Sequence, residues 1–183
     1  MTYGKTTRTI EVFLFMLVDF KTAADIATIL AAFFAGGSVF YLARQVKFGI
    51  EESRNQRTYD FTKRFNDPVF GRMLAEAVFF LARLENDEKL LKDFVADPKK
   101  NTEWSVAYQT VNICLNFFEE IGEFYSRGFL NESMVDNFFS GSSLYYYARA
   151  EKYINLRIKK VGRPKLFKVW REMNETFKSK GLK

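Results

Sequence analysis

Few side chains in this sequence are placed to do chemistry. Glu119, Glu120 and Glu123 cluster in the run LNFFEEIGEFY. Glu120 and Glu123 stand at i, i+3, the spacing that bundle proteins use to hold carboxylate-bridged metals. Such sites need a second carboxylate pair and usually histidine, and the 183-residue chain has no His. That removes the ordinary general base near neutral pH and the commonest metal ligand. Ser-His-Asp and Cys-His triads are excluded with it. The one cysteine, Cys114, permits no intrachain disulfide and no cysteine zinc site. It falls on an apolar helical stripe and is expected to be an inert core thiol. No Gly-rich phosphate loop is present, because Gly36-Gly37 lies inside an apolar run. The expectation is a non-enzyme without metal or cofactor. Its three clustered glutamates form an acidic face, ion-paired with Arg149 and Arg157 within a protomer or between protomers.

Charge is unevenly spread along the chain. Net charge is +6, yet residues 149–183 carry 12 bases against three acids, while residues 44–148 carry 13 bases against 16 acids. A basic C-terminal third on a slightly acidic body points to an anionic lipid surface, RNA, or the acidic body of a neighbouring copy. Lys159, Lys160, Arg163, Lys165 and Lys168 are the candidate basic surface, each worth about 1 kcal/mol beside anionic lipid. Tyr145, Tyr146 and Tyr147 precede this region and carry the chemistry to stack on single-stranded nucleic acid. At helical spacing, however, most of them face a core.

The elements that position these residues begin with a membrane segment. Ile26 to Ala43 is 18 residues without a charge. At 1.5 Å per residue it covers roughly 27 Å, close to a bilayer's hydrocarbon thickness. Apolarity on every side separates it from the core helix of a small domain, which keeps a polar stripe. The run starts after Lys21 and Asp25, too late for a cleaved signal peptide, so a retained anchor is expected. Arg44, Lys47, Arg54, Arg57, Lys63 and Arg64 follow it, outnumbering Lys5, Arg8 and Lys21 before it. The positive-inside rule then puts the N-terminus outside and the bulk of the chain in the cytoplasm. Within the span, Ala27, Ala31 and Ala35 recur every four residues, and Gly36 lies on an adjoining ridge. Small residues of this kind let helices approach closely in lipid, which suits packing against copies of the same chain.

The rest reads as helices. Residues 1–21 are expected to form an interfacial segment, 22–50 the transmembrane helix, and 51–183 a cytoplasmic helical domain. Val12 to Val18 is apolar but too short to span, and suits the outer interface. The EESRNQRT stretch (51–58) has no apolar residue and reads as a solvated stalk. Asp67 and Pro68 should cap and open the next helix, over 69–85. A short helix fits 87–95. The strongest periodicity runs over 102–126 and is closed by Gly128. Asn131 then caps a short helix over 132–139, Ser142 or Ser143 caps another, and Pro164 opens the last. With no strand alternation bounded by hairpin turns, the fold class is all-α.

The stretches TYDFTKRFNDPVFGRM (58–73) and LNFFEEIGEFYSRGFLNESMVDNFF (115–139) resemble an uncharacterised family of small bacterial membrane-anchored helical proteins. YYYARAEKYI (145–154) and the Arg-Pro turn at 163–164 are similar too. The resemblance implies a fold and an anchor but no reaction. It extends in part to the pore-forming membrane accessory proteins of type VI CRISPR systems, which enhance antiviral defence and carry an Arg–His ribonuclease-like motif. Arg149 and Arg157 lie in the matching region, but no His follows either, so a ribonuclease role does not transfer. What the resemblance implies is a homo-oligomer in the bacterial inner membrane that permeabilises or depolarises it. Its partners would be itself, the bilayer, and an RNA-guided nuclease system or RNA. The alternative is a monotopic scaffold that displays a helical protein- or RNA-binding module.

Overall fold

The computed structural model describes the backbone of residues 4–182 and the side chains at 22, 25–28 and 30–182. Helix α1 (Gly4–Phe65) is followed by α2 (Pro68–Asn86), α3 (Glu88–Ala96), α4 (Thr102–Ser126), α5 (Glu132–Val161) and α6 (Lys168–Ser179). There is no strand among the described residues, and the fold is all-α. The chain divides into two compact units, residues 1–50 and 51–183. The side chains of residues 1–21, on which the interfacial reading rests, lie outside the described residues. The 62 residues of α1 form one continuous helix that includes the apolar run.

In the second unit, local chemistry sets most boundaries. The Asp67 carboxylate accepts hydrogen bonds from the Val69 and Phe70 N–H groups, and Pro68 occupies the first turn, where its missing N–H costs nothing. Asp87 and Asn101 cap α3 and α4 in the same way. Gly128 (φ 67°) and Gly162 (φ 65°) take the left-handed conformation that ends α4 and α5, a region closed to most side chains.

Helix α4 lies at the centre. Phe70 of α2 packs on Phe117, and Arg83 pairs with Glu103, so α2 and α4 run antiparallel. On another side α6 runs parallel to α4, with Trp170 beside Glu119 and Phe177 beside Tyr125. The core is aromatic: Phe94, Phe117, Phe118, Phe139, Tyr153, Trp170 and Phe177 are at most 2% exposed. Phe118 and Trp170 stack at 5.1 Å and 9°. Gly122 is where α4 meets the start of α6. A Cβ there would stand 3.1 Å from the Trp170 nitrogen and the Val169 carbonyl.

Three sequence expectations are corrected. Helix α5 is a single helix of 30 residues, not two. Ser143, expected to cap, is instead fully buried. It donates to Asn174 Oδ1 (3.0 Å) and accepts from Trp170 Nε1 (2.7 Å). Those partners satisfy its hydroxyl inside the bundle, so it has no need to break the helix around Gly141. Pro164 does not open α6. It sits in a turn that ends at Phe167, which is buried at a left-handed φ of 51°, and α6 starts at Lys168. The stalk reading of 51–58 also fails at its end. Thr58 is fully buried and accepts the Asn131 N–H at 2.9 Å, tying the end of the stretch to the start of α5.

Candidate membrane helix and charged surfaces

Among the described residues one helix is long and apolar enough to cross a membrane, and none of its most apolar 18-residue window is buried. Its large side chains are uncovered: Phe33, Phe34 and Phe40 are 77%, 75% and 71% exposed. Ala27, Ala31, Ala35 and Gly36 are exposed as well, and a Cβ at Gly36 would meet open space. The Ser38 hydroxyl donates to the Phe34 carbonyl at 2.7 Å, so it is satisfied within the helix.

The three glutamates are neighbours in sequence with three different tasks. Glu120 pairs with Arg64 of α1 at 3.0 Å. Glu123 pairs with Arg127, one turn along its own helix. Glu119 carries no ion pair among the described residues. Its carboxylate accepts the N–H groups of Trp170 (2.8 Å) and Val169 (3.3 Å). It thereby caps α6, whose own N-cap residue is Phe167, with no side chain able to accept. Burial pushes the Glu119 carboxyl above the usual carboxylate value, against the pull of those two N–H groups. A raised value means the folded state holds this proton more tightly than the unfolded one. That contribution to stability is fully present below the unfolded pKa and fades as pH rises through the folded value.

Within the chain, none of the three glutamates pairs with the expected arginines. Arg149 reaches Glu85 of α2 at 3.2 Å. Arg157 reaches Asn112, Tyr108 and Tyr153. The cause is helix geometry: both arginines lie on α5 faces turned toward α2, α3 and the N-terminal half of α4, whereas the glutamates sit on the C-terminal half of α4. We expect Glu119→Ala to lower stability by about 1–2 kcal/mol through the lost cap. Glu120→Ala and Glu123→Ala remove exposed pairs and should each cost at most about 1 kcal/mol. Thermal unfolding of the full chain in detergent, monitored by helical circular dichroism, checks the order.

Of the basic residues in the C-terminal third, Lys159, Lys160, Arg163, Lys165 and Lys168 are exposed, whereas Arg149, Arg157 and Arg171 are half-buried. Lys168 pairs with Glu172 at 3.3 Å, and Lys160 donates to the Val95 and Ala96 carbonyls at the end of α3. Lys159, Arg163 and Lys165 form no ion pair among the described residues. Near the C-terminus Lys180 bridges Glu132 (2.6 Å) and Asp136 (2.7 Å) and donates to Tyr125, and these bonds hold its ammonium well above the usual lysine value. Tyr147 is buried and Tyr146 half-buried, and Tyr145 alone of the three is largely exposed. Burial pushes the Cys114 thiol up to about 12, which keeps it from acting as a nucleophile. No cluster of three potential metal-ligating His, Cys, Asp or Glu side chains exists among the described residues.

Sequence periodicity missed the polar residues inside the bundle. Ser143, Asn174, Thr58 and Arg157 each have a partner 27 to 73 positions away, and no local pattern announces such partners.

Fold and surfaces together define an all-helical protein with one apolar, uncovered helix ahead of a compact helical unit. The chain belongs to the family described as a domain of unknown function (DUF4760), which matches residues 21–176. No curated protein and no solved structure matches it.

Proposed function

We propose that this protein is an integral membrane protein of the bacterial inner membrane, anchored by the apolar helix and assembling with copies of itself. The observation that carries the reading is the uncovered apolar surface of α1, where Leu30, Phe33, Phe34, Val39, Phe40 and Leu42 are all more than half exposed. Water tolerates no continuous apolar surface of that size, and lipid covers it at no cost. The bases from Arg44 to Arg64 favour a cytoplasmic second unit and an N-terminus outside. The small ridge of Ala27, Ala31 and Ala35, with Gly36 beside it, favours close helix contacts between protomers.

The assembly acts as a pore-like accessory or effector of antiviral defence that permeabilises or depolarises the membrane. Because Ser38 turns its hydroxyl into its own helix, a pore lined by this span would gate by wetting and drying. The same absence of a polar stripe favours a second reading, a monotopic scaffold that displays the helical unit without conducting. Mass measurement of the full chain in detergent separates the two: a defined ring supports the pore, and a monomer removes it.

Ala31→Leu should weaken the assembly and any dye leakage while leaving insertion intact, because bulk on the ridge parts the helices. Phe33→Leu, off that ridge, should leave the oligomer mass unchanged. Identical behaviour of the two variants would reduce the helix to a plain anchor.

A further inference from the structure

The Arg157 guanidinium faces a cavity of about 120 Å³ between α3, α4 and α5, lined also by Tyr108, Tyr153, Lys160 and Phe94. It is half-buried and forms no ion pair among the described residues. Its partners are neutral: Asn112 Oδ1, the Tyr108 hydroxyl at 3.0 Å and the Tyr153 hydroxyl at 3.3 Å. Three rings, those of Tyr108, Tyr153 and Phe167, lie 5.2 to 5.9 Å from its central carbon. A partly desolvated cation is normally matched by a carboxylate. Here the matching charge is missing.

The two tyrosines add direction. Each hydroxyl oxygen accepts from the guanidinium, so its own O–H is left to donate, and neither has an acceptor among the described residues. Tyr153 is 2% exposed to bulk solvent and lines the cavity. Burial pushes its hydroxyl up to about 12, which keeps the proton in place at neutral pH. Lys160 stands on the same cavity with two of its three hydrogens on the Val95 and Ala96 carbonyls, leaving one free. Two cations and two hydroxyl donors thus line a space of about four water volumes, with no carboxylate lining it.

We propose that this cavity is a binding site for a single tetrahedral oxyanion, a phosphate or the phosphoryl end of a phosphate monoester. Charge-assisted hydrogen bonds from Arg157 and Lys160 supply the attraction, and the tyrosine hydroxyls fix the orientation. The exposed bases of the notional lipid-facing surface, Lys159 and Lys165, take no part.

The test is calorimetric titration of the detergent-solubilised full chain at constant ionic strength, with orthophosphate and glycerol 3-phosphate as the two probes. The expected result is saturable binding of one anion per chain, weakened at least tenfold in Lys160→Ala and Tyr108→Phe and unchanged in Lys165→Ala. Equal affinity for the probes identifies the free ion as the source, and tighter binding of the ester identifies an organic monoester. Helical circular dichroism and unfolding temperature of each variant without anion show whether it still folds. If either variant fails to fold, the other carries the comparison. No binding would overturn the proposal, as would binding that falls equally in Lys165→Ala, which would mark a diffuse basic surface.

Discussion

Trp170→Ala is expected to lower the unfolding free energy of the helical unit by about 3–5 kcal/mol. The indole is completely buried, stacks on Phe118 and meets Tyr147 edge-on at 5.2 Å. Truncation leaves a cavity between α4, α5 and α6. It also strips Ser143 of its indole donor. Trp170→Phe keeps most of the packing and loses that hydrogen bond, so its cost should be about 1–3 kcal/mol. Denaturant unfolding of the full chain in a mild detergent, followed by helical circular dichroism, measures both. A loss under 1 kcal/mol for the alanine variant would mean that α6 does not unfold with the rest of the bundle.

The second large effect concerns the apolar helix. Leu30→Arg combined with Phe34→Arg should abolish membrane retention, because each arginine near the centre of a span opposes insertion by about 2.5–3.5 kcal/mol. Residues 30 and 34 lie one turn apart, so the two charges share a face and cannot both snorkel to opposite ends. Leu30→Ile with Phe34→Leu is the control and should behave as the natural chain does. Alkaline carbonate extraction reads the outcome: the doubly charged variant should leave the membrane pellet. If it stays there, this helix is not the anchor.

Legibility in the sequence followed the range of the forces. Helices α2 and α4 were readable because their signals are local: Asp67 caps Val69 and Phe70 within three residues, and α4 carries its apolar period over its own 25 residues. The apolar run was readable because eighteen uncharged residues need no partner to be recognised. The middle of α5 was not. The stretch FSGSS (139–143) has the composition of a loop, yet Phe139, Ser140 and Ser143 are buried, and packing overrides the local preference. The start of α6 was misplaced for a related reason. Proline is a familiar first residue of a helix, but the buried Phe167 ring fixes the turn three residues beyond it.

At the site level the glutamate cluster was visible as a cluster, while its division of labour was not. Which glutamate caps α6 depends on α6 packing parallel to α4, about fifty residues away in the chain. Gly122 belongs to the same junction. In sequence it looks like an interruption of a strong helix, and in space it is the clearance that admits the α6 backbone.

The borrowed cap of α6 makes that helix depend on the rest of the bundle. The helix enters without a capping side chain of its own and takes both acceptors from Glu119. Its twelve residues are too few to hold a helix unaided in water. When α6 comes away, Phe118 loses its stacking partner and the interior opens along α4. The last helix and the C-terminal half of α4 therefore open and close as one cooperative piece.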